Sequence, residues 1–229
     1  MCFSASVSFT VSAVLIPTGL YCMNVALNRN SAYLLLAVMP LAFGVQQAAE
    51  GVVWMGLHTH QVPLIQMGAV VFLFFSHCFW LAWTPWLAFN LESDLETQRL
   101  HRFFTLFGVI YGAMLYLPVV LHFGEISAAI VHGSINYQAR FIADFVPVLI
   151  SRSLYAAIIL IPLLLSSNLH IKRFGTSVTV SIFIAYLSFN YAFVSVWCFF
   201  AALLSFYIVY VILQTDALNE ALVFDKTMR

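Results

Sequence analysis

Two side chains stand out chemically, Glu50 and Arg152, because each is ionisable and each falls inside a long apolar run. An ionisable group at the centre of a bilayer costs about 2.5 to 3.5 kcal/mol on insertion scales, so it needs a partner or a purpose. Counted from the ends of their runs, both lie about 10 Å deep by helical rise, on the same side. An ion pair between them would relieve both, with the guanidinium suited to a two-pronged hydrogen bond to a carboxylate. Such a pair either fixes helix register or lines a ligand site. Gln46 and Gln47 stand at i−4 and i−3 from Glu50 and can share its helix face. Ser151 and Tyr155 accompany Arg152, while Trp54, Asn190, Trp197, Cys198, Cys2 and Ser4 fall near the same ends of their runs. Together they predict a polar chamber in one half of a helical bundle.

Other reactive groups are sparser. His77, between Ser76 and Cys78, falls mid-run, where a neutral imidazole serves an interhelical hydrogen bond, a proton relay or a metal. His58, His60, His122 and His132 share one side of the chain without a metal-ligand spacing, so no metal and no cofactor is expected. Removal of Met1 would leave Cys2 with both an amine and a thiol, a candidate nucleophile that Glu50 or His132 could assist. Cys2 could equally pair with Cys198 or pack as a small buried residue.

These residues need elements to hold them. With 63% hydrophobic and 8% charged residues, the chain has far more apolar surface than a soluble fold can cover. The formal net charge is zero, which argues against a nucleic-acid partner. No basic stretch precedes the first apolar run, so that run is expected to be a mature helix rather than a cleaved signal. A spanning helix takes about 20 apolar residues, and seven stretches come near that length. They run about 6–27, 32–57, 64–89, 103–123, 145–165, 176–191 and 194–213. The reading is all-α: one membrane domain over residues 1–229, a seven-transmembrane-helix bundle.

Lysine and arginine orient it. With the N-terminus outside, Arg29, Arg99, Arg102, Lys172, Arg173, Lys226 and Arg229 all fall on the cytoplasmic side. The cytoplasmic tail is then about 214–229, and only Arg140 and Arg152 break the pattern. Trp80, Trp83 and Trp86 read as an interfacial belt at the inner end of the third helix. The outer loop, about 124–143, holds two β-prone runs around His132, Gly133 and Ser134, a hairpin signal that could form a lid.

The opening MCFSASVSF, the segment QQAAEGVVW and the segment VWCFFAALLS carry a resemblance. The chain resembles an uncharacterised bacterial family of small polytopic membrane proteins that begin Met-Cys-Phe-Ser. The resemblance implies a fold and a cell-membrane location, the bacterial inner membrane, but no reaction. Retinal attachment is excluded, because Lys172 and Lys226 both lie outside the predicted helices. Similarity to zinc-dependent membrane ceramidases fails on the absence of any histidine after His170.

The preferred reading is therefore non-catalytic: binding, sensing or transport of a small, partly apolar ligand through an outward-facing chamber. Its lining would be Gln46, Gln47, Glu50, Trp54, Arg152, Tyr155, Asn190, Trp197 and Cys198. A membrane-embedded lipid-modifying hydrolase or acyltransferase using Cys2, Glu50 and His132 is the alternative. Membrane lipids and a small molecule are the expected partners, and a homo-oligomer is left open.

Overall fold

The computed structural model describes residues 4–139, 147–189, 197 and 199–214. Its long elements are α1 (Ala5–Arg29), α2 (Leu34–Thr59), α3 (Val62–Leu91) and α4 (Leu95–Leu121), followed by α5 (Val148–Leu165), α6 (Leu169–Phe189) and α7 (Phe199–Gln214). The fold is all-α, and α1 to α4, with the short turn before α2, are long and apolar enough to cross a membrane. Between α4 and α5 stands the one small sheet of the described residues, β1 (Ser127–Val131) antiparallel to β2 (Ser134–Gln138).

The caps follow local chemistry. Ser4 opens α1 by accepting the Val7 N–H at 3.3 Å. Asp94 opens α4 by accepting both the N–H and the hydroxyl of Thr97. Asn168 opens α6, its side-chain oxygen accepting from His170 and Ile171. Because Asn168 caps there, α6 begins at Leu169 rather than near Thr176. Lys172 and Arg173 therefore stand exposed in its first turns, not in a loop. Similarly α4 starts at Leu95 instead of near residue 103, since charged residues on an exposed first turn do not stop a helix.

The hairpin expected around His132 is present. His132 and Gly133 both take positive φ, 48° and 76°, the combination a two-residue turn needs to match strand twist. Ile126 and Ile135 bury themselves among Val53, Trp54, Phe72 and Val119, and the Tyr137 ring stacks on Phe72 at 4.8 Å. The hairpin is thus packed onto one end of α2, α3 and α4.

The opposite end is laced by polar contacts. Glu92, buried in the α3–α4 turn, accepts the Ser167 N–H at 2.8 Å and those of Ser93 and Asp94 at 2.9 and 3.1 Å. Asn168 also donates to the Tyr33 hydroxyl at 3.3 Å. Burial pushes the Glu92 carboxyl up, but the N–H groups of Ser167, Asp94 and Ser93 outweigh it and hold it below its ordinary value of 4.5.

The tryptophan belt is corrected. Trp80 and Trp86, six residues apart, stand about 120° from each other around the helix and meet different surroundings. Trp80 is 4% exposed, and Trp83 donates to the Leu35 carbonyl at 3.1 Å. Trp86, at 41% exposed, keeps a boundary position open to it.

Close packing rests on small residues. Gly108 and Gly112 form a G-x-x-x-G face on α4 that lies directly on the second half of α3. A Cβ at Gly108 would overlap the Leu81 carbonyl oxygen. Gly108→Ala is expected to lower stability in detergent by about 1–3 kcal/mol. Gly124→Ala, where no atom lies within 4 Å, should melt like the parent in the same thermal scan. Equal melting of the two variants would refute the close approach.

Glu92 gives a pH signature. Because its folded value is lowered, its stabilisation is complete above 4.5 and is lost as pH falls through that lowered value. Glu92→Gln should cost about 1–2 kcal/mol at neutral pH and flatten the acid limb of the stability profile. Parallel acid limbs for parent and variant would count against it.

Candidate functional site

The site is built on α2. Gln46, Gln47 and Glu50 are fully buried there, and Trp54 is 2% exposed. The Gln47 amide donates to Glu50 Oε2 at 3.3 Å, the i, i+3 contact expected of one helix face. Gln46 Oε1 instead accepts the indole N–H of Trp80 across from α3 at 2.8 Å. That bond fixes the amide orientation and leaves Gln46 Nε2 with no hydrogen-bond partner among the described residues.

Facing α2, the middle of α3 departs from α geometry. Phe75–Phe79 is a π segment, in which the Trp80 N–H bonds the Phe75 carbonyl. In an α-helix that N–H would serve Ser76, so the Ser76 carbonyl is released, and the Tyr155 hydroxyl of α5 donates to it. The Ser76 hydroxyl lies 2.8 Å from His77 Nδ1. One turn before Tyr155, the Ser151 hydroxyl meets that of Tyr111 on α4 at 2.8 Å. Arg152, half-buried, lies between these two anchoring residues on α5.

Beneath this polar layer, toward the Glu92 end, a cavity opens between helices, with about 390 Å³ of empty space including its mouth. Phe43 and Met39 of α2 and Trp80 and Thr84 of α3 form one side. Opposite stand Tyr155, Ile159 and Leu163 of α5, Phe174 and Val178 of α6, then Trp197 and Ala201. Phe43 stacks on Trp80 at 3.9 Å, and Tyr155 meets Trp197 edge-on at 5.3 Å. With Trp80 donating to Gln46 and Tyr155 to Ser76, the polar tips of two wall rings are directed elsewhere. The wall that remains is almost wholly apolar.

Of the residues singled out in the sequence, Tyr155 and Trp197 line this cavity. Gln46 reaches it through Trp80, while Gln47, Glu50 and Trp54 are buried on α2 nearer the hairpin end. His132 occupies the exposed hairpin turn, whereas Glu50 is wholly buried. His58 and His122 each bond a carbonyl of their own helix, those of Trp54 and Pro118. Cys2, Asn190 and Cys198 lie outside the described residues.

Sequence reasoning passed over most of the apolar wall. Met39, Phe43, Ile159, Leu163, Phe174, Val178 and Ala201 recur at ordinary helical spacing, which is also the pattern of plain core. One signal was readable: Phe43 is a large aromatic placed mid-run, far from either interface.

The Gln46–Trp80 bond supplies a test by double substitution. Trp80→Phe leaves a buried amide without its donor and is expected to cost about 1–2 kcal/mol in detergent melts. Adding Gln46→Leu removes the stranded amide and should restore at least half of that loss. Strictly additive losses would show that the bond is not formed.

Neither a curated protein nor a solved structure matches the chain. A sequence model described as a family of unknown function, DUF6629, matches residues 1–221. That extent agrees with the resemblance to an uncharacterised family, and the chain belongs to DUF6629, a family of unknown function.

Proposed function

We propose that this is a multi-pass membrane protein, N-terminus outside, that binds a small, largely apolar molecule within its helical bundle in order to sense or move it. The observation that carries this reading is the cavity among α2, α3, α5, α6 and the residues Trp197 and Ala201. An apolar wall between helices suits a ligand that partitions into lipid.

The dry row of Gln46, Gln47 and Glu50, with Arg152 on α5, stands on the hairpin side of that wall and supplies the polar half of the site. On the positive-inside reading, that side faces outward. The unpartnered Gln46 amide supports a ligand carrying a hydrogen-bond acceptor, since a buried donor left unmade costs free energy.

Ala201→Phe is designed to fill the cavity with a ring. Native mass spectrometry of the parent, purified in mild detergent, should show a one-to-one apolar adduct. Occupancy should fall about tenfold in Ala201→Phe, equivalent to about 1.4 kcal/mol, while the melting temperature holds. A parent protein that carries no adduct, or equal occupancy in both, would argue against a binding role.

A further inference from the structure

At the Glu92 end, basic side chains stand at the head of two exposed apolar helix faces. Phe103, Leu106, Ile110 and Leu117 of α4 each expose more than half of their surface. Their spacing of three, four and seven residues places them on one side of the helix. Arg99 and Arg102, both exposed, continue that side toward the Glu92 end at i−4 from Phe103 and Leu106. From Phe103 to Leu121 the helix rises about 27 Å, close to the roughly 30 Å of a hydrocarbon core. The two arginines therefore stand at headgroup depth.

The first turns of α6 repeat the pattern. Lys172 and Arg173 are exposed there, and Val180, Phe183 and Leu187, also exposed, run on from them along the same side. Cations favour the last turn of a helix rather than the first, so neither residue gains from the α6 dipole. A bias of basic residues to one side of the membrane does not require them to head apolar faces in this way.

The acidic residues of this end are engaged elsewhere. Glu92 is buried and gathers three backbone N–H groups. Asp94 accepts from Thr97, and Glu96 lies 3.8 Å from Arg99. Among the described residues no carboxylate pairs with Arg102, Lys172 or Arg173. The Arg102 guanidinium instead lies 5.4 Å from the centre of the Phe89 ring at the end of α3. That contact restrains the side chain at the boundary without neutralising it.

We infer that the Glu92 end binds phospholipids of net negative headgroup charge, one phosphate held by Arg102 of α4 and another by Lys172 and Arg173 of α6. The acyl chains lie along the apolar faces beneath. A guanidinium meets a phosphate through two parallel hydrogen bonds, which suits arginine at both positions. A zwitterionic headgroup offers less, because its own ammonium already answers the phosphate. The Glu92 clasp joins the two positions, since Glu92 stands just ahead of α4 and its partner Ser167 just ahead of α6.

The experiment uses the full-length protein in nanodiscs of equal parts phosphatidylcholine and phosphatidylglycerol. Native mass spectrometry reads the lipids that stay bound as the disc is stripped away. The parent should retain phosphatidylglycerol in preference to phosphatidylcholine, at two positions. Arg102→Gln should weaken one of them about fivefold and leave the other, and Arg173→Gln should do the converse. Arg99→Gln should have a smaller effect, because Arg99 is already paired with Glu96. Arg102→Lys and Arg173→Lys keep the charge and should keep most of the preference, as should Ala201→Phe, which is aimed at the cavity. Inorganic phosphate at the concentration of the anionic lipid should displace neither molecule. Equal retention of the two lipids by the parent would overturn the proposal, as would an undiminished preference in both glutamine variants. Displacement by inorganic phosphate would also overturn it, assigning these cations to a soluble anion.

Discussion

Helix backbones approach closely only where side chains are missing, and the architecture depends on that constraint around α2. In lipid there is little hydrophobic drive between helices, so association rests on contact area and on small residues. Gly19 of α1 lies against the Leu41 backbone of α2, and Gly44 of α2 lies against Ile16 of α1. Further along α2, Gly51 receives the Phe9 ring, and Gly56 meets Ile65 of α3. Gly68 of α3 then lies against the Ala49 carbonyl. With both flanks so close, the middle of α2 is shut off from solvent on those sides. Gln46, Gln47 and Glu50 are dry because their glycine and alanine neighbours allow it.

A dry polar row obliges neighbouring helices to answer it, and the answers set the positions of the aromatic residues. Trp80 must turn its N–H toward Gln46, which places the indole flat against Phe43. The π segment of α3 frees a carbonyl, which Tyr155 satisfies from α5, and this places the phenol beside Trp197. Rings anchored at their polar tips cannot collapse inward to fill the space between them. The cavity follows from hydrogen-bond demand a turn away, rather than from a shortage of side-chain volume.

The apolar lengths and the positions of polar residues were legible in the sequence, as were the hairpin turn at His132 and Gly133 and the burial of Glu50 with its two glutamines. What the sequence could not disclose was register between helices. Trp80 belongs to a three-residue tryptophan spacing that also suits an interfacial belt, and only its rotation toward Gln46 decides otherwise. The starts of α4 and α6 were misplaced because charge was read as loop. Asp94 and Asn168 act as caps, however, and allow exposed Arg99, Arg102, Lys172 and Arg173 to ride on helical turns. The π segment leaves no composition signal at all, since Phe75–Phe79 contains nothing that an ordinary helix would refuse.

The two ends of the bundle are closed by different physics, and the difference bears on how the cavity is reached. At the Glu92 end, a buried carboxylate gathers three backbone N–H groups, and Asn168 adds a bond to Tyr33. Charge-assisted bonds of this kind tie the α5–α6 connection to the α3–α4 turn, so opening there would strand a buried charge. At the hairpin end the closure among the described residues is apolar, built from Ile126, Ile135 and Tyr137 packed on Phe72. Apolar packing over a polar row can part and reform with less electrostatic penalty than a broken carboxylate clasp.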